Sequence, residues 1–218
     1  MKILALEFSS PRRSVAVLDG TMVLTEQVEP AGQNIPPLRL VENALVAAQT
    51  KQSEIGCVAV GLGPGSYNGL RGAIALAQGW QLAGGVKLMG ASSMECIAAQ
   101  AQAEKVFGRV NAIVDAQRNE FYLASYEISD ESLKTISAIR IVTLTDLKSA
   151  VKVENMAVGP EVTKWFPNGR VIIPGAAMLG RLAAERGNFV SGEQLEPIYL
   201  RATSFIKAPP SRSLEFKL

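Results

Sequence analysis

A chain of 218 residues with 48% hydrophobic and 19% charged residues belongs to a globular protein, either one large domain or two small ones, and not to a disordered one. Its 22 basic and 20 acidic residues leave a net charge of +2 with no basic run, which argues against strong independent RNA binding. The absence of histidine excludes a Ser-His-Asp triad, a Cys-His pair and any histidine-ligated metal, leaving carboxylates, Lys, Tyr and Ser for any chemistry.

Lys2 to Phe8 and Ser14 to Leu18 are apolar runs suited to buried strands. Asp19-Gly20 offers two positive-φ positions for a tight hairpin into a strand from Met22 to Val28. Asn34 followed by Pro36 and Pro37 reads as a helix start, and Leu38, Val41, Leu45 and Ala48 recur at helical spacing. Cys57 to Gly61 then predicts a strand, Tyr67 to Ala83 a helix, Val86 to Met89 a strand and Met94 to Ala103 a helix. The order is βββαβα.

The second half repeats this plan. "ILALEFSSPRRSVAVL" from Ile3 and "AIVDAQRNEFYLASY" from Ala112 both run apolar strand, carboxylate, polar turn, second strand, with Glu7 eight residues before Val15 and Asp115 eight before Leu123. "VAVGLGPGS" from Val58 is echoed by "NMAVGPEVT" from Asn155. These echoes predict two related lobes, residues 1–104 and 105–218, as duplication leaves behind. The stretch after Leu200, with Pro209 and Pro210, reads as extended. Cys57 and Cys96 lack CxxC or zinc spacing and read as buried, reduced thiols. Ile3 to Leu6 is too short for a signal-peptide core, and the uncharged stretch from Gly72 to Val86 carries Gln78 and Gln81. A cytoplasmic protein without a membrane partner is expected.

The glycine-rich turn "GLGPGSYNGLRGAIALAQGW" from Gly61 invites a phosphate-binding reading that its residues do not support. Ser66-Tyr67 stands where a Walker A loop needs Lys-Ser/Thr, and Asn68 stands where the dinucleotide fingerprint needs its third glycine. Pro64 also removes one backbone N–H. The plainer reading is a strand-to-helix turn with Ser66 as N-cap. The helix that follows has one charge, Arg71, between Gly69 and Gly85. Leu70, Ile74, Ala77 and Gln81 form one face, and Gly72, Ala75, Gly79 and Ala83 a second face of small residues. Either the helix lies deep in its own core or one face awaits a partner helix. Arg71, disfavoured by the macrodipole in the first turn, either reaches solvent or meets an acidic group beyond the helix. Glu7 and Asp115 end the first strand of each lobe, where two facing carboxylates could hold Mg²⁺; the plainer alternative is solvated strand-end acids. Glu7, Ser9 and Asp115 are thus the candidates for a vestigial nucleotide or metal site.

Taken together with "EPIYLR" from Glu196, these motifs resemble the TsaB/YeaZ proteins over nearly the whole chain, most specifically at Gly63 to Arg71 and Glu196 to Arg201. The resemblance implies an actin-like, hexokinase-type α/β ATPase fold of two ribonuclease-H-like lobes, each a mixed sheet flanked by helices. It implies a non-catalytic subunit, labelled peptidase M22-like or glycoprotease-like after its paralogue, that serves tRNA threonylcarbamoyladenosine (t6A) modification. The implied partners are the catalytic paralogue TsaD and the ATPase TsaE, with a homodimer when alone and tRNA reached only through the complex. No cofactor of its own is implied, beyond a nucleotide at the interface with TsaD. The implied contact with TsaD is the helix after the glycine turn with the one before it: Leu38, Val41 and Leu45, then Leu70, Arg71, Ile74, Ala75, Gln78 and Gly79. The family usually has Asp where Glu7 stands, Phe-Thr where Tyr67-Asn68 stand and a histidine near Gln33. Two rival readings remain: a small ATPase or sugar-kinase-like enzyme using Glu7 and Asp115, and a metalloprotease, against which the missing histidines count.

Overall fold

A computed structural model describes residues 1–152 and 155–200. The first strand, β1 (Lys2–Glu7), is apolar on both faces because it lies at the centre of a sheet covered on both sides. It pairs antiparallel with β2 (Ser14–Asp19), which pairs antiparallel with β3 (Met22–Val28). On its other edge it runs parallel to β4 (Ile55–Gly61), followed by β5 (Lys87–Ala91), giving the order β3-β2-β1-β4-β5. Helices α1 (Pro37–Ala47) and α2 (Tyr67–Gly84) cover one face, where Leu4, Leu6, Val58 and Val60 meet Val41, Ala44, Ala73 and Ile74. Each Val, Leu or Ile side chain so removed from water contributes about 1.5–3 kcal/mol.

After α3 (Ser93–Ala103) the plan recurs in β6 (Gly108–Gln117), β7 (Glu120–Ile128), β8 (Leu133–Thr143), β9 (Met156–Gly159) and β10 (Arg170–Val171). The second sheet, read β8-β7-β6-β9-β10, has the same order and the same antiparallel and parallel pairings as the first. The sequence echoes fall on equivalent strands, β1 with β6 and β4 with β9. These are two ribonuclease-H-like lobes in the actin-like arrangement. The second lobe is the sparser one: α4 (Leu144–Ala150) is two turns long, and a 3-10 turn, Val162–Lys164, stands where the first lobe has α2.

The segments also cross over. Helix α5 (Ala176–Arg186), late in the chain, covers the free face of the first sheet, with Leu179 and Ala183 against Ile3, Ala5 and Leu18. Helix α3 puts Met94, Ile97, Ala98 and Ala101 onto the second sheet while Cys96 and Ala99 join the first cluster, so it lies between the two. Residues after α5 return to the first lobe, where Val190 bridges Leu88 and Ile198 N–H donates to Leu62 O at 2.9 Å.

Two turns differ from expectation. Asp19 stays in the ladder opposite Met22, so the first hairpin turns on Gly20-Thr21, with positive φ (57°) at Gly20 and not at Asp19. The equal spacing of Glu7 and Asp115 from the following strands hides unequal turns: Glu7 pairs with Ser14 across a wide loop, whereas Asp115 pairs with Phe121 across a tight one. In that tight turn Gln117, Arg118 and Asn119 all take left-handed φ between 59° and 66°, a conformation non-glycine residues rarely adopt. No helix is long and apolar enough to cross a membrane among the described residues. The expected extended stretch after Leu200, and Arg201 of the final motif, lie outside the described residues.

Candidate functional site

The glycine turn is built to press against the loop between β1 and β2. Ser66 N–H donates to Ser9 O at 2.7 Å, and Ser66 Oγ caps α2 by accepting from Gly69 N–H. A Cβ on Gly65 would lie 2.1 Å from Ser9 O, and one on Gly69 would lie 2.1 Å from Phe8 O, so both glycines are demanded by close backbone approach. The turn's glycines seat α2 on the sheet.

Glu7 lies inside this junction and not in the space between lobes. It is fully buried, accepting from Ser9 N–H at 2.9 Å and from Ser93 Oγ at 2.9 Å, while Ser93 Oγ accepts from Gly63 N–H. Gly61 leaves room for the carboxylate, which a Cβ there would approach to 2.2 Å. Burial is the dominant influence and raises the Glu7 pKa above its usual value, against the lowering effect of bonds from Ser9 and Ser93. The expectation of a solvated or cleft-facing Glu7 is therefore corrected: its longer side chain folds back to tie β1, the glycine turn and the start of α3 together.

Asp115, by contrast, does line the inter-lobe cleft, a space of about 650 Å³ shared with Ser9, Ser10, Arg12, Tyr67 and Tyr122. Its Oδ1 accepts from Gln117 N–H at 2.7 Å. Ser9 and Asp115 meet at this cleft and Glu7 does not, so the three vestigial-site candidates are not brought together. Among the described residues no cluster of three metal-ligating side chains occurs.

The second candidate surface is the outer side of α1 and α2. A buried ion pair sets the entry to α1: Arg13 bonds both oxygens of Glu29, Arg13 donates to Ile35 O at 2.7 Å, and Glu29 accepts from Ile35 N–H at 2.7 Å. The Arg13 hydrogen bond holds the Glu29 carboxyl below its usual range. Helix α1 begins at Pro37, as the prolines predict, although Asn34 supplies no cap.

The expected partner residues divide sharply. Leu38, Arg71, Ala75 and Gly79 face outward. Val41, Leu70 and Ile74 are buried in the first lobe's core and are corrected to packing residues. Leu45 is half-buried against the same core, and Gln78 is half-buried because its Nε2 donates to Gly192 O at 2.8 Å. Sequence reasoning missed Val46 and Leu82, at 77% and 89% exposure the most open large apolar side chains of the two helices. Leu82 lies seven residues after Ala75, so helical spacing could have found it. Arg71 is exposed, the first of its two expected courses, and there its guanidinium lies 4.0 Å from the Tyr67 ring centroid and Nε donates to Tyr199 Oη at 3.2 Å, while the two tyrosines stack.

Comparison with known proteins places this architecture. A family model described as TsaD: tRNA N6-adenosine threonylcarbamoyltransferase matches residues 33–204. A tRNA threonylcarbamoyladenosine biosynthesis protein TsaB from Escherichia coli (strain K12) is 27% identical, over 97% of this chain and 100% of its own length. The chain belongs to this TsaD-type family, on its TsaB/YeaZ branch. A Bacillus subtilis (strain 168) protein of the same TsaB name is 26% identical over 70% of this chain and 66% of its own length. In three dimensions the chain is similar to YeaZ from Pseudomonas aeruginosa, with a TM-score of 0.77, 24% identity, and coverage of 91% of this chain and 99% of that one. That likeness is one of fold.

Proposed function

We propose that this chain is a non-catalytic subunit of the cytoplasmic machinery that makes tRNA N6-threonylcarbamoyladenosine. In this reading it docks on a TsaD paralogue through the outer face of α1 and α2, with TsaE joining the complex and tRNA reached through the assembly. When alone, it pairs with a second copy through the same face, and any nucleotide sits at the interface with TsaD. The observation that carries the reading is the outer surface of α2, where Ala75, Gly79, Leu82 and Ala83 are exposed with Arg71 as the helix's only charge. Small residues in that stripe allow a second helix to approach closely, and an apolar stripe of this kind is seldom left in water.

A chain without histidine cannot supply a histidine-bound metal, which supports a subunit role over a catalytic one. The rival ATPase reading needs Glu7 in the cleft, and the side chain is engaged inside the fold. The test is reconstitution: purified chain, TsaD and TsaE are combined with tRNA and the substrates of the modification, and t6A is counted by mass spectrometry. Modification should require the chain and TsaD together. Undiminished t6A without the chain, or t6A from the chain alone, would overturn the reading.

A further inference from the structure

At the far end of β9 from the inter-lobe cleft, the second lobe carries a groove of about 440 Å³ that the proposed docking face does not use. Its apolar walls come from Phe107, Met156, Trp165 and Phe166, and its rim carries Lys148 and Lys152. Phe107 is 45% exposed and Met156 is 37% exposed, although both are large apolar side chains. Trp165 is anchored by an edge-on contact with Phe121, its ring centroid 4.7 Å away, which fixes the ring's orientation at the groove wall. Neither lysine is ion-paired among the described residues, and no carboxylate is among the described residues that line the groove. In the β6–β9 ladder Asn111 stands opposite Ala157, a groove-lining residue. Its Nδ2 is buried without a hydrogen-bond partner among the described residues.

We infer that this groove receives an unpaired base of the RNA substrate, stacked on Phe107, with Lys148 and Lys152 on the flanking phosphates. The inference rests on the proposed role in tRNA modification. Aromatic rings with lysines at their rim match a stretch of unpaired RNA, because every base has a π-face and every linkage a negative charge. An apolar segment of a protein partner would gain nothing from two lysines that lack an ion pair among the described residues. The charge sign decides for nucleic acid. Two phosphate contacts give weak binding alone, consistent with a net charge of +2, and add to the affinity of an assembled complex.

The test compares wild type with Phe107→Ala, Phe107→Tyr and the double variant Lys148→Gln/Lys152→Gln. Binding of tRNA to the reconstituted complex with TsaD, and of a fluorescent oligouridine to the chain alone at low salt, is followed over a salt series. Phe107→Ala should weaken both by about five-fold or more, and Phe107→Tyr should restore them. The double lysine variant should flatten the slope of log K against log salt by about 1.4, or about 0.7 per lost single-strand phosphate contact. Melting temperatures and affinity for TsaD should stay at wild-type values in all three. Unchanged RNA affinity and slope in these folded variants would overturn the inference, as would a loss of TsaD affinity with RNA binding intact, which would mark a protein contact. Failure of the wild-type chain to assemble with TsaD would count against the docking reading, and the oligouridine arm would still decide the groove.

Discussion

Placing a carboxylate at two neighbouring positions of α2 separates packing from docking. Ile74 is 6% exposed and sits in the first lobe's core, so Ile74→Glu loses about 1.5–3 kcal/mol of apolar burial and adds an unpaired buried charge. The sum, at least about 4 kcal/mol, approaches the whole stability of an ordinary domain, about 5–15 kcal/mol. Gly79 is exposed, and a Cβ built on it meets nothing within 4 Å. Gly79→Glu should therefore leave the fold intact and raise stability by about 0.5 kcal/mol, because glycine is a poor residue for a helix interior. If the stripe through Ala75 and Gly79 is the docking surface, the same carboxylate is buried unpaired in the interface. That costs about 3 kcal/mol, or about 100-fold in affinity. Circular dichroism melts, light scattering on a sizing column and calorimetric titration with TsaD should be run on the same samples. The expected pattern is an unfolded or strongly destabilised Ile74→Glu beside a monomeric, fully folded Gly79→Glu that no longer binds TsaD. A folded Gly79→Glu that self-associates and binds TsaD within about three-fold of wild type would refute the reasoning.

Gly65→Ala should lower the urea midpoint by the equivalent of about 3 kcal/mol, because its Cβ would lie 2.1 Å from Ser9 O, while Gly72→Ala, with nothing within 4 Å, should raise it slightly. Equal effects of the two would show that the close backbone contact is not what selects glycine. Glu7 has a folded pKa raised above 4.5, so its contribution is fully present below the unfolded value and is lost as pH rises through the folded one. Melting temperatures of wild type and Glu7→Gln should accordingly diverge in the variant's favour as pH climbs from about 5 to about 9; a constant difference would remove the carboxyl from the pH response. Burial pushes the Cys57 thiol up to about 11 and raises Cys96 well above the usual thiol value. A thiol reagent at about pH 8 should label neither in the native protein and both after denaturation, and rapid native labelling would contradict their burial.

Much of this architecture was written in local pattern. The two-sided apolar run at Ile3 to Leu6 demanded a central strand, and Pro36-Pro37 and Ser66 set the helix starts at Pro37 and Tyr67. The repeated order of strands marked two sheets of equal topology, because the echoed residues occupy equivalent places in them. These features depend on neighbours within a few residues, and periodicity reports such neighbours directly.

What lay beyond the sequence depends on contacts between distant segments. Helix α2 is apolar all round, so its pattern could not say whether Ile74 or Gly79 faces water; the first sheet decided it by covering Leu70, Ala73, Ile74 and Ala77. Gln78 was drawn inward by Gly192, 114 residues away, and Arg71 found Tyr199 at a separation of 128. Glu7 had the spacing of a cleft residue, yet Ser93 and the loop at Ser9 enclosed it where Gly61 makes room for a carboxylate. In each case the side chain's direction follows from which remote surface removes it from water or satisfies its hydrogen bonds, and only the assembled lobes contain that surface.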